Sequence, residues 1–336
     1  MQVFFKISQF FGFILTEILN ILLLYLIFTK ASTRFGSYKY LMISYAVYSL
    51  IYALVEILTQ PIIHVHDASV FLYVDSFLKH ETTISNQLAA IYCASFSLCI
   101  SLLATHFAFR YFAVCSPHYL HYVDGWRLLK IYIFPIVLST IWYLTNGFLC
   151  GPADFKTDFV KKDILEKYNE DFSKVGYIGY LYYYTDIFGN LIINWLDFLG
   201  CSINLLIMAS CIGTIIICGL KTYWCMGKDR KKMSKRTKEL NDQLFKTLVV
   251  QTLIPICTMF APVGTVIVLP IFSIQIPPAI ANIPSLYAGL YPGLDAAVAI
   301  FMIRDFRDAV FCWRRVLPSM MSSSRPAKHT SSHISV

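Results

Sequence analysis

The sequence predicts an all-α integral membrane protein: a seven-transmembrane helix bundle with its N-terminus outside, its C-terminus in the cytoplasm and a short amphipathic helix after helix seven. Three observations carry this prediction. Of the 336 residues, 57% are hydrophobic and 14% are charged, whereas soluble domains have roughly 25% charged residues. Seven apolar stretches are close to the roughly 20 residues that a helix needs to cross a bilayer. Lysine and arginine concentrate in alternate connections between these stretches, and such residues are retained in cytoplasmic loops.

The predicted spans define a membrane domain over residues 1–303. They cover approximately residues 7–29, 39–63, 86–112, 128–149, 190–220, 244–268 and 281–303. The first span begins near the N-terminus, but it is longer than the roughly 7–15-residue core of a secretory signal. It also contains Glu17 and Asn20. We therefore expect it to be an uncleaved helix.

The distribution of positive charge predicts the orientation of the bundle. With the N-terminus outside, the connections assigned to the cytoplasm hold 21 of the 28 lysine and arginine residues. The net charge of +8 is therefore interpreted as a topology signal, and nucleic-acid binding is not expected. The loop between Lys221 and Lys246 is the most basic and includes Lys231 and Lys232. It is predicted to attract anionic lipid headgroups, and an acidic cytosolic partner is the alternative.

The longest outside loop, residues 150–189, ends in a run of tyrosines: Tyr177, Tyr180, Tyr182, Tyr183 and Tyr184. Aromatic rings with a polar tip suit the boundary between lipid and water. We interpret the run as an aromatic belt at the membrane surface, in preference to a lid over a ligand site.

Residues 304–317 repeat apolar side chains at the spacing of one helical face, namely Phe306, Val310, Trp313 and Leu317. This pattern predicts an amphipathic helix on the inner leaflet. Cys312 beside that face is a candidate for palmitoylation, with a plain cysteine at the membrane edge as the alternative. Residues 318–336 are rich in serine and threonine and are predicted to be a disordered cytoplasmic tail.

The ten cysteines do not form a CxxC pair, so neither a metal site nor a cofactor is expected. Cys150 is the only cysteine assigned clearly to the outer surface. Cys93 is the nearest candidate for a disulfide with it, and the sequence leaves that pairing open.

Candidate ligand-binding residues are polar and aromatic residues on the predicted interior faces of the spans. They are Glu56, Gln60, Tyr92, Phe96, Asn194, Trp195, Asp197, Phe260 and Tyr287. For a single polar residue, a hydrogen bond between helices is the simpler explanation. A hydrogen bond between helices does not readily explain the carboxylates Glu17, Glu56 and Asp197, because no lysine or arginine lies at their depth in the spans. Each must be protonated, hydrated or paired with something bound, although Glu17 could also be a protonated packing group.

Two absences narrow the expected ligand. Helix seven contains no lysine, which excludes a retinal Schiff base there. The outer half of helix three contains no acid to pair with an amine. A small, mostly neutral molecule suits the remaining apolar and aromatic side chains.

No catalytic motif such as HExxH, GxSxG or a phosphate-binding loop occurs in the sequence, so an enzyme is not expected. A signalling receptor, an ion channel subunit and a transporter remain. The absence of an internal repeat disfavours a transporter. A seven-helix channel with its N-terminus inside would need the opposite charge asymmetry.

Three segments resemble the Str-type seven-transmembrane chemoreceptors of nematodes. They are RFGSYKYLMISYAVYSLIYALVEILTQP, LLATHFAFRYFAVCSPHYL and LYPGLDAAVAIFMIRDFR, and the similarity extends over residues 35–307. The resemblance implies a G-protein-coupled odorant or chemical receptor of the plasma membrane, on sensory cilia, whose partners are a small-molecule cue and a heterotrimeric G protein. A ligand-gated channel subunit or a small-solute transporter is the alternative.

The resemblance also assigns switch residues. Arg110 and Tyr111 stand where many G-protein-coupled receptors end helix three in an arginine motif, but Phe109 replaces the usual acid. In helix seven, Tyr291, Pro292 and Asp295 match the family's motif, and Ala296 stands where a proline is expected. The predicted coupling surface consists of the matching residues Arg110, Tyr111, Tyr291, Pro292 and Asp295 together with His106, Lys231 and Lys232.

Overall fold

A computed structural model describes residues 2–31, 35–116, 118, 125–186, 188–228 and 235–311. Within these ranges, seven helical stretches are long and apolar enough to cross a membrane. They cover Phe4–Lys30, Tyr38–Thr59, Thr82–Cys115, Arg127–Leu149, Trp195–Gly227, Lys238–Phe272 and Pro278–Met302. The seven-helix prediction is confirmed.

The helices are α1 (Gln2–Lys30), α2 (Tyr38–Thr59), α3 (Thr82–Cys115), α4 (Ile133–Leu144), α5 (Asp154–Tyr168), α6 (Trp195–Lys228), α7 (Lys235–Pro255), α8 (Ala261–Val268), α9 (Pro278–Ala281), α10 (Ile283–Met302) and α11 (Arg304–Phe311). A 3₁₀ segment, Gly125–Tyr132, precedes α4, and a π-helical turn, Thr145–Leu149, follows it. A second π-helical turn, Ile256–Phe260, joins α7 to α8. It directly follows Pro255, whose ring cannot continue the regular hydrogen-bond ladder.

Two predicted helix boundaries are wrong. The second span ends at Thr59, not at residue 63, because Gln60 adopts a left-handed conformation with φ of 45° and Pro61 follows it. The fifth span begins at Trp195, not at residue 190, because Leu191–Ile193 form a strand. In both places an apolar strand adjoins the helix, and hydropathy alone does not separate them.

Helix α3 lies at the centre of the bundle, where it contacts α2, α4 and α6 as well as two strands. Its buried residues point in all directions, as expected for a helix surrounded by protein. Helices α1 and α10 pack closely, because a Cβ atom at Gly12 would lie 2.6 Å from the carbonyl oxygen of Gly289. Such close approach of backbones is typical of small residues between membrane helices.

One end of the bundle is covered by a small folded cap. Strands β1 (Pro61–His66), β2 (Ser69–Val74) and β3 (Tyr177–Leu181) form an antiparallel sheet in the order β1-β2-β3. Strands β4 (Tyr183–Thr185) and β5 (Leu191–Ile193) form a hairpin beside it. One face of the sheet packs on the bundle, and the other packs on α5. We call the sheet, the hairpin and α5 the cap. Lys6 in α1 pairs with Asp75 after β2, so the N-terminus of α1 lies at the cap end.

The aromatic-belt interpretation is wrong for Tyr177, Tyr180 and Tyr182. All three side chains are buried within the protein, with exposed fractions of 2%, 7% and 0%. The hydroxyl group of Tyr182 donates to the carbonyl oxygen of Ile267 at 2.7 Å. Because strand residues alternate between two faces, tyrosines in this run contribute to the core of the cap and to its contact with the bundle.

At the end opposite the cap, α11 follows the seventh span after Ile303. Phe306 is fully buried and stacks on Phe35 with ring centroids 5.8 Å apart, so this residue faces protein and not lipid. The predicted residues Lys231, Lys232, Cys312, Trp313 and Leu317, as well as the tail from 318 to 336, lie outside the described residues. Their roles and the predicted boundaries at 303 and 317 stay predictions.

Candidate functional site

A cavity of about 90 Å³ lies where the cap meets the bundle. Its walls come from α3, α4, the sixth and seventh spans and all three strands of the cap sheet. The lining residues are Ile63, Val70, Leu72, Tyr92, Cys93, Phe96, Trp142, Asn146, Ile178, Gly179, Tyr180, Met259, Val263, Val266, Ile267, Pro284, Ser285 and Ala288. The cap sheet therefore forms the roof of a chamber whose floor and sides are membrane helices.

The lining is mostly apolar and aromatic, with polar groups in two places. On one side, Asn146 accepts a hydrogen bond from the Tyr180 hydroxyl at 3.1 Å, and Asn204 donates to that hydroxyl at 2.7 Å. Burial raises the pKa of Tyr180 well above its usual value, so the phenol stays neutral. On the other side, the Ser285 hydroxyl has no hydrogen-bond partner among the described residues. The residues of the lining carry no formal charge, which favours a neutral ligand.

The structure brings four of the predicted ligand-binding residues to the cavity or directly behind its wall. Tyr92 and Phe96 of α3 belong to the lining. Phe260 lies one layer behind, with its ring centroid 4.8 Å from that of Phe96. Glu56 is buried near Tyr92.

The other predicted ligand-binding residues do not line this cavity. Trp195 is 72% exposed and Tyr287 is 38% exposed, so both face outwards, and Gln60 is buried where α2 ends. Asn194 donates to the carboxylate of Asp197 at 2.8 Å. The interior positions predicted for Gln60 and Asn194 rest on helical spacing, but α2 ends at Thr59 and the fifth span starts only at Trp195, so both residues lie just outside a helix.

Asp197, at the start of α6, contacts the cap through an ion pair and a hydrogen bond. Its carboxylate pairs with the ammonium of Lys156 in α5 at 2.7 Å and also accepts from the backbone N–H of Leu181 at 2.8 Å. Lys156 further donates to the carbonyl oxygen of Gly179 at 3.1 Å. The sequence offered no partner because Lys156 belongs to an outside loop. That loop folds back against the start of α6.

Sequence reasoning missed most of the roof of the cavity, including Ile63, Val70 and Tyr180. The signal was present, because SVFLYV in β2 and YIGYL in β3 are rich in β-branched and aromatic residues. Gly179 is the break in this pattern. A Cβ atom there would lie 2.2 Å from the ring of Phe71, so only glycine lets β3 lie this close to β2.

The opposite end of α3 carries Arg110, which is buried without a carboxylate partner among the described residues. Its guanidinium donates to the backbone carbonyl oxygen of Asn241 in α7 at 2.9 Å and contacts the side-chain oxygen of Asn241 at 3.4 Å. It also lies over the ring of Tyr38, 5.0 Å from the centroid. One turn earlier, His106 is buried, and its ring lies 5.2 Å from that of Tyr45. Arg110 therefore ties the third span to the sixth.

The predicted helix-seven residues form connections in the middle of the bundle. The hydroxyl groups of Tyr291 and Tyr45 are hydrogen-bonded to each other. The carboxylate of Asp295 accepts from Gln251 in α7 at 2.8 Å, and the carbonyl oxygen of Pro292 accepts from Asn20 in α1 at 3.1 Å. Tyr111, by contrast, faces α6, where Lys221 lies 5.7 Å from its ring centroid. Cys93 and Cys150 are both free thiols.

Comparison with known proteins identifies the family. A family model described as serpentine type 7TM GPCR chemoreceptor Str matches residues 5–311. The chain is 35% identical over 305 residues to serpentine receptor class r-10 of Caenorhabditis briggsae, covering 89% of this chain and 87% of that one. It is 34% identical to serpentine receptor class r-10 of Caenorhabditis elegans, covering 89% and 88%. It is 25% identical to G-protein coupled receptor str-33 of the same organism, covering 89% and 88%.

The crystal structure of squid rhodopsin superposes with a TM-score of 0.54 at 13% identity, covering 96% of this chain and 87% of that chain, which shows the fold alone. The family is one of receptors and not of enzymes, and a receptor of this class takes a ligand and a G protein as partners. This seven-span chain belongs to the Str family of serpentine chemoreceptors, which are G-protein-coupled receptors.

Proposed function

We propose that the chain is an odorant-type receptor of the plasma membrane of sensory cilia, with its cap outside the cell and Arg110 at the cytoplasmic side. A small neutral molecule binds in the cavity under the cap, and the bundle then activates a heterotrimeric G protein. The observation that carries this proposal is the apolar cavity, whose lining has no formally charged side chain. Its size of about 90 Å³ suits a compact molecule of few non-hydrogen atoms, since a cavity of roughly 150 Å³ holds benzene.

The charge distribution supports this orientation. The end that carries Arg110 also carries the basic connection between the fifth and sixth spans, and the positive-inside rule assigns such connections to the cytoplasm. The cap contains acidic as well as basic residues and carries the N-terminal end of α1.

An epitope tag at the N-terminus should therefore be stained in intact cells, and a C-terminal tag should be stained only after permeabilisation. The reverse pattern would contradict the orientation.

In this proposal the seventh span carries the signal from the cavity towards the G protein. Ala288 and Ser285 of α10 line the cavity, and further along the same helix lie Tyr291 and Asp295, which bond to the second and sixth spans. A ligand that prefers one packing of these spans shifts the equilibrium between packings. We infer that this shift releases the contact between Arg110 and Asn241 and opens the cytoplasmic end.

The proposal is tested by expressing the full chain with a calcium or cyclic-nucleotide reporter and applying a panel of volatile and water-soluble compounds. A response that depends on a G protein is expected. Ligand-evoked currents in cells without functional G proteins would instead support an ion channel.

Replacing Ser285 with alanine is expected to weaken the response to a polar agonist and leave the receptor's stability unchanged. The hydroxyl lines the cavity and has no partner in the described part of the chain, so its loss does not leave a protein group unpaired. A hydrogen bond to the ligand contributes about 0.5–1.5 kcal/mol, so the half-maximal concentration should rise roughly two- to thirteenfold. Dose–response curves measure this shift.

The matched control is Ser97→Ala. The Ser97 hydroxyl is also buried and also has no hydrogen-bond partner among the described residues, but Ser97 is not part of the cavity lining. An equal shift in both variants would mean that the Ser285 hydroxyl does not contact the ligand.

A further inference from the structure

Three side chains of types that bind metals meet on the outer layer of the cap, away from the cavity. Nε2 of His64 in β1 lies 2.8 Å from Oδ2 of Asp163 in α5. Nδ1 of His66 lies 3.4 Å from Oδ1 of the same carboxylate. One ligand atom from each residue lies within 4.8 Å of the other two. Spacing along the chain does not predict this cluster, because the two histidines and Asp163 belong to different connections between spans.

The alternation of β1 explains why His64 is in an unusual place. Ile62 and His64 point to the same face of the strand, and this face packs against Val160 and Ile164 of α5. The side chain of His64 is fully buried, and neither ring nitrogen has a well-aligned hydrogen bond among the described residues. A buried polar group of this kind is costly unless something satisfies it.

An imidazole nitrogen and a carboxylate oxygen 2.8 Å apart attract each other only through a proton or a cation between them.

The surrounding groups fit a bound cation. Nε2 of His66 lies 3.5 Å from Oδ2 of Asp67, so a carboxylate faces the nitrogen that is not directed at Asp163. Such a carboxylate orients the ring of a metal-binding histidine. Tyr168 contacts the ring of His64 edge-on, with centroids 5.5 Å apart, and limits its rotation.

Lys167 is the charged group that competes with a metal. Its ammonium lies 2.9 Å from Oδ2 of Asp163, but its side chain is 41% exposed and can turn into water. The side chains of His66 and Asp163 are 26% and 18% exposed, so ions can reach these two ligands from water.

We propose that His64, His66 and Asp163 bind one Zn²⁺ ion on the cap. Two imidazoles and one carboxylate are a ligand set that Zn²⁺ accepts, with the fourth position left to water. Ligand atoms about 2.0–2.2 Å from Zn²⁺ lie nearer to one another than 4.8 Å, so the three ligand atoms must move closer together when the ion binds. Harder ions such as Ca²⁺ and Mg²⁺ prefer oxygen ligands only, so they are not expected here.

The site would couple zinc to the roof of the cavity. His64 directly follows Ile63, which lines the cavity, and Asp163 belongs to the helix that covers the sheet. Zinc therefore fastens α5 to β1 and stiffens the roof. The effect of a stiffer roof on ligand entry and release rests on the proposed receptor function, whereas the binding of zinc does not.

The test uses purified full-length receptor in detergent without agonist or G protein. Zn²⁺ is titrated against a fluorescent zinc chelator, and thermal unfolding is followed at each concentration. We expect one saturable site and a rise in melting temperature with Zn²⁺, and neither with Ca²⁺. Absence of binding in the wild type, or equal stabilisation by Ca²⁺, would overturn the proposal.

Substitutions test which residues bind the Zn²⁺ ion. His66→Ala and Asp163→Asn should weaken Zn²⁺ binding by at least the roughly 10–100-fold that loss of even an outer-shell partner causes. Lys167→Gln should tighten it, because a competing cation is removed. His80→Ala is the control, since His80 is exposed and is not part of the cluster. Because a variant could also fail to fold, its unfolding transition without metal is recorded first. Unchanged affinity in a folded His66→Ala or Asp163→Asn receptor would refute the assignment.

Discussion

Replacing Lys156 with methionine is expected to destabilise the receptor by about 3–5 kcal/mol, the cost of removing one partner from a buried ion pair. The side chains of Lys156 and Asp197 are 3% and 0% exposed and are 2.7 Å apart. Without the ammonium, the Asp197 carboxylate stays buried with only neutral donors, the N–H of Leu181 and the amide of Asn194. Thermal unfolding of the solubilised receptor and its amount at the cell surface measure the effect.

A double-mutant cycle separates this ion pair from general damage to the cap. Asp197→Asn alone leaves the Lys156 ammonium unpaired and should also destabilise the receptor. The double variant Lys156→Met with Asp197→Asn has no buried charge left at this point, so it should be more stable than the sum of the single effects predicts. Lys161→Met is the control, because Lys161 is exposed on the same helix. Additive effects in the cycle would show that the two charges do not interact.

Asp197 also shows where prediction from sequence stops. The sequence indicates that the Asp197 carboxylate must be protonated, hydrated or paired with something bound, because an isolated charge is costly within a span. It could not supply Lys156, which is 41 residues away in a loop whose fold depends on strands contributed by another loop. Spacing along a helix predicts neighbours within that helix only. The prediction from spacing therefore places Asp197 in a ligand-binding site, whereas its partner is Lys156 of the cap.

The cavity shows the same limit of prediction from sequence, because its helical residues were predicted and the strand residues of its roof were not. Tyr92 and Phe96 were predicted on an interior face because they are four residues apart on a helix, and both line the cavity. The roof residues Ile63 and Tyr180 come from two loops that pair only through β2. Such pairing between distant segments leaves no periodic signal in either one alone. Membrane spans are thus more predictable than the loops that close the site over them.

Arg110 is a second buried cation, and its contacts lead to the opposite expectation for stability. Its described partners are neutral: the backbone carbonyl and side-chain oxygens of Asn241 and the ring of Tyr38. Replacing Arg110 with alanine therefore leaves no uncompensated charge in the protein, and one buried Nε–H without a hydrogen-bond partner among the described residues is removed with the side chain. We therefore expect a melting temperature and a surface expression closer to those of the wild type than Lys156→Met shows.

Signalling by Arg110→Ala should nevertheless be weakened. If agonist binding releases Arg110 from Asn241, the freed guanidinium becomes available to the G protein, and alanine provides no such group. Coupling free energies between sites are about 1–3 kcal/mol, so agonist potency should fall roughly 5- to 150-fold. Reporter responses measured at matched surface expression give this value.

The control for Arg110 is Lys246→Ala, because Lys246 is an exposed cation of α7 five residues after Asn241. It should signal like the wild type if Arg110 acts through its specific buried contacts, and it should lose potency equally if only the positive charge of this end is needed. Arg110→Lys separates the two further, since lysine retains the charge but lacks the planar fork of donors. Full signalling by Arg110→Ala would mean that the arginine only marks the edge of the membrane, where long basic side chains reach towards water. Its burial and its bond to a neighbouring span argue against that simpler role, because a side chain reaching towards water would be exposed.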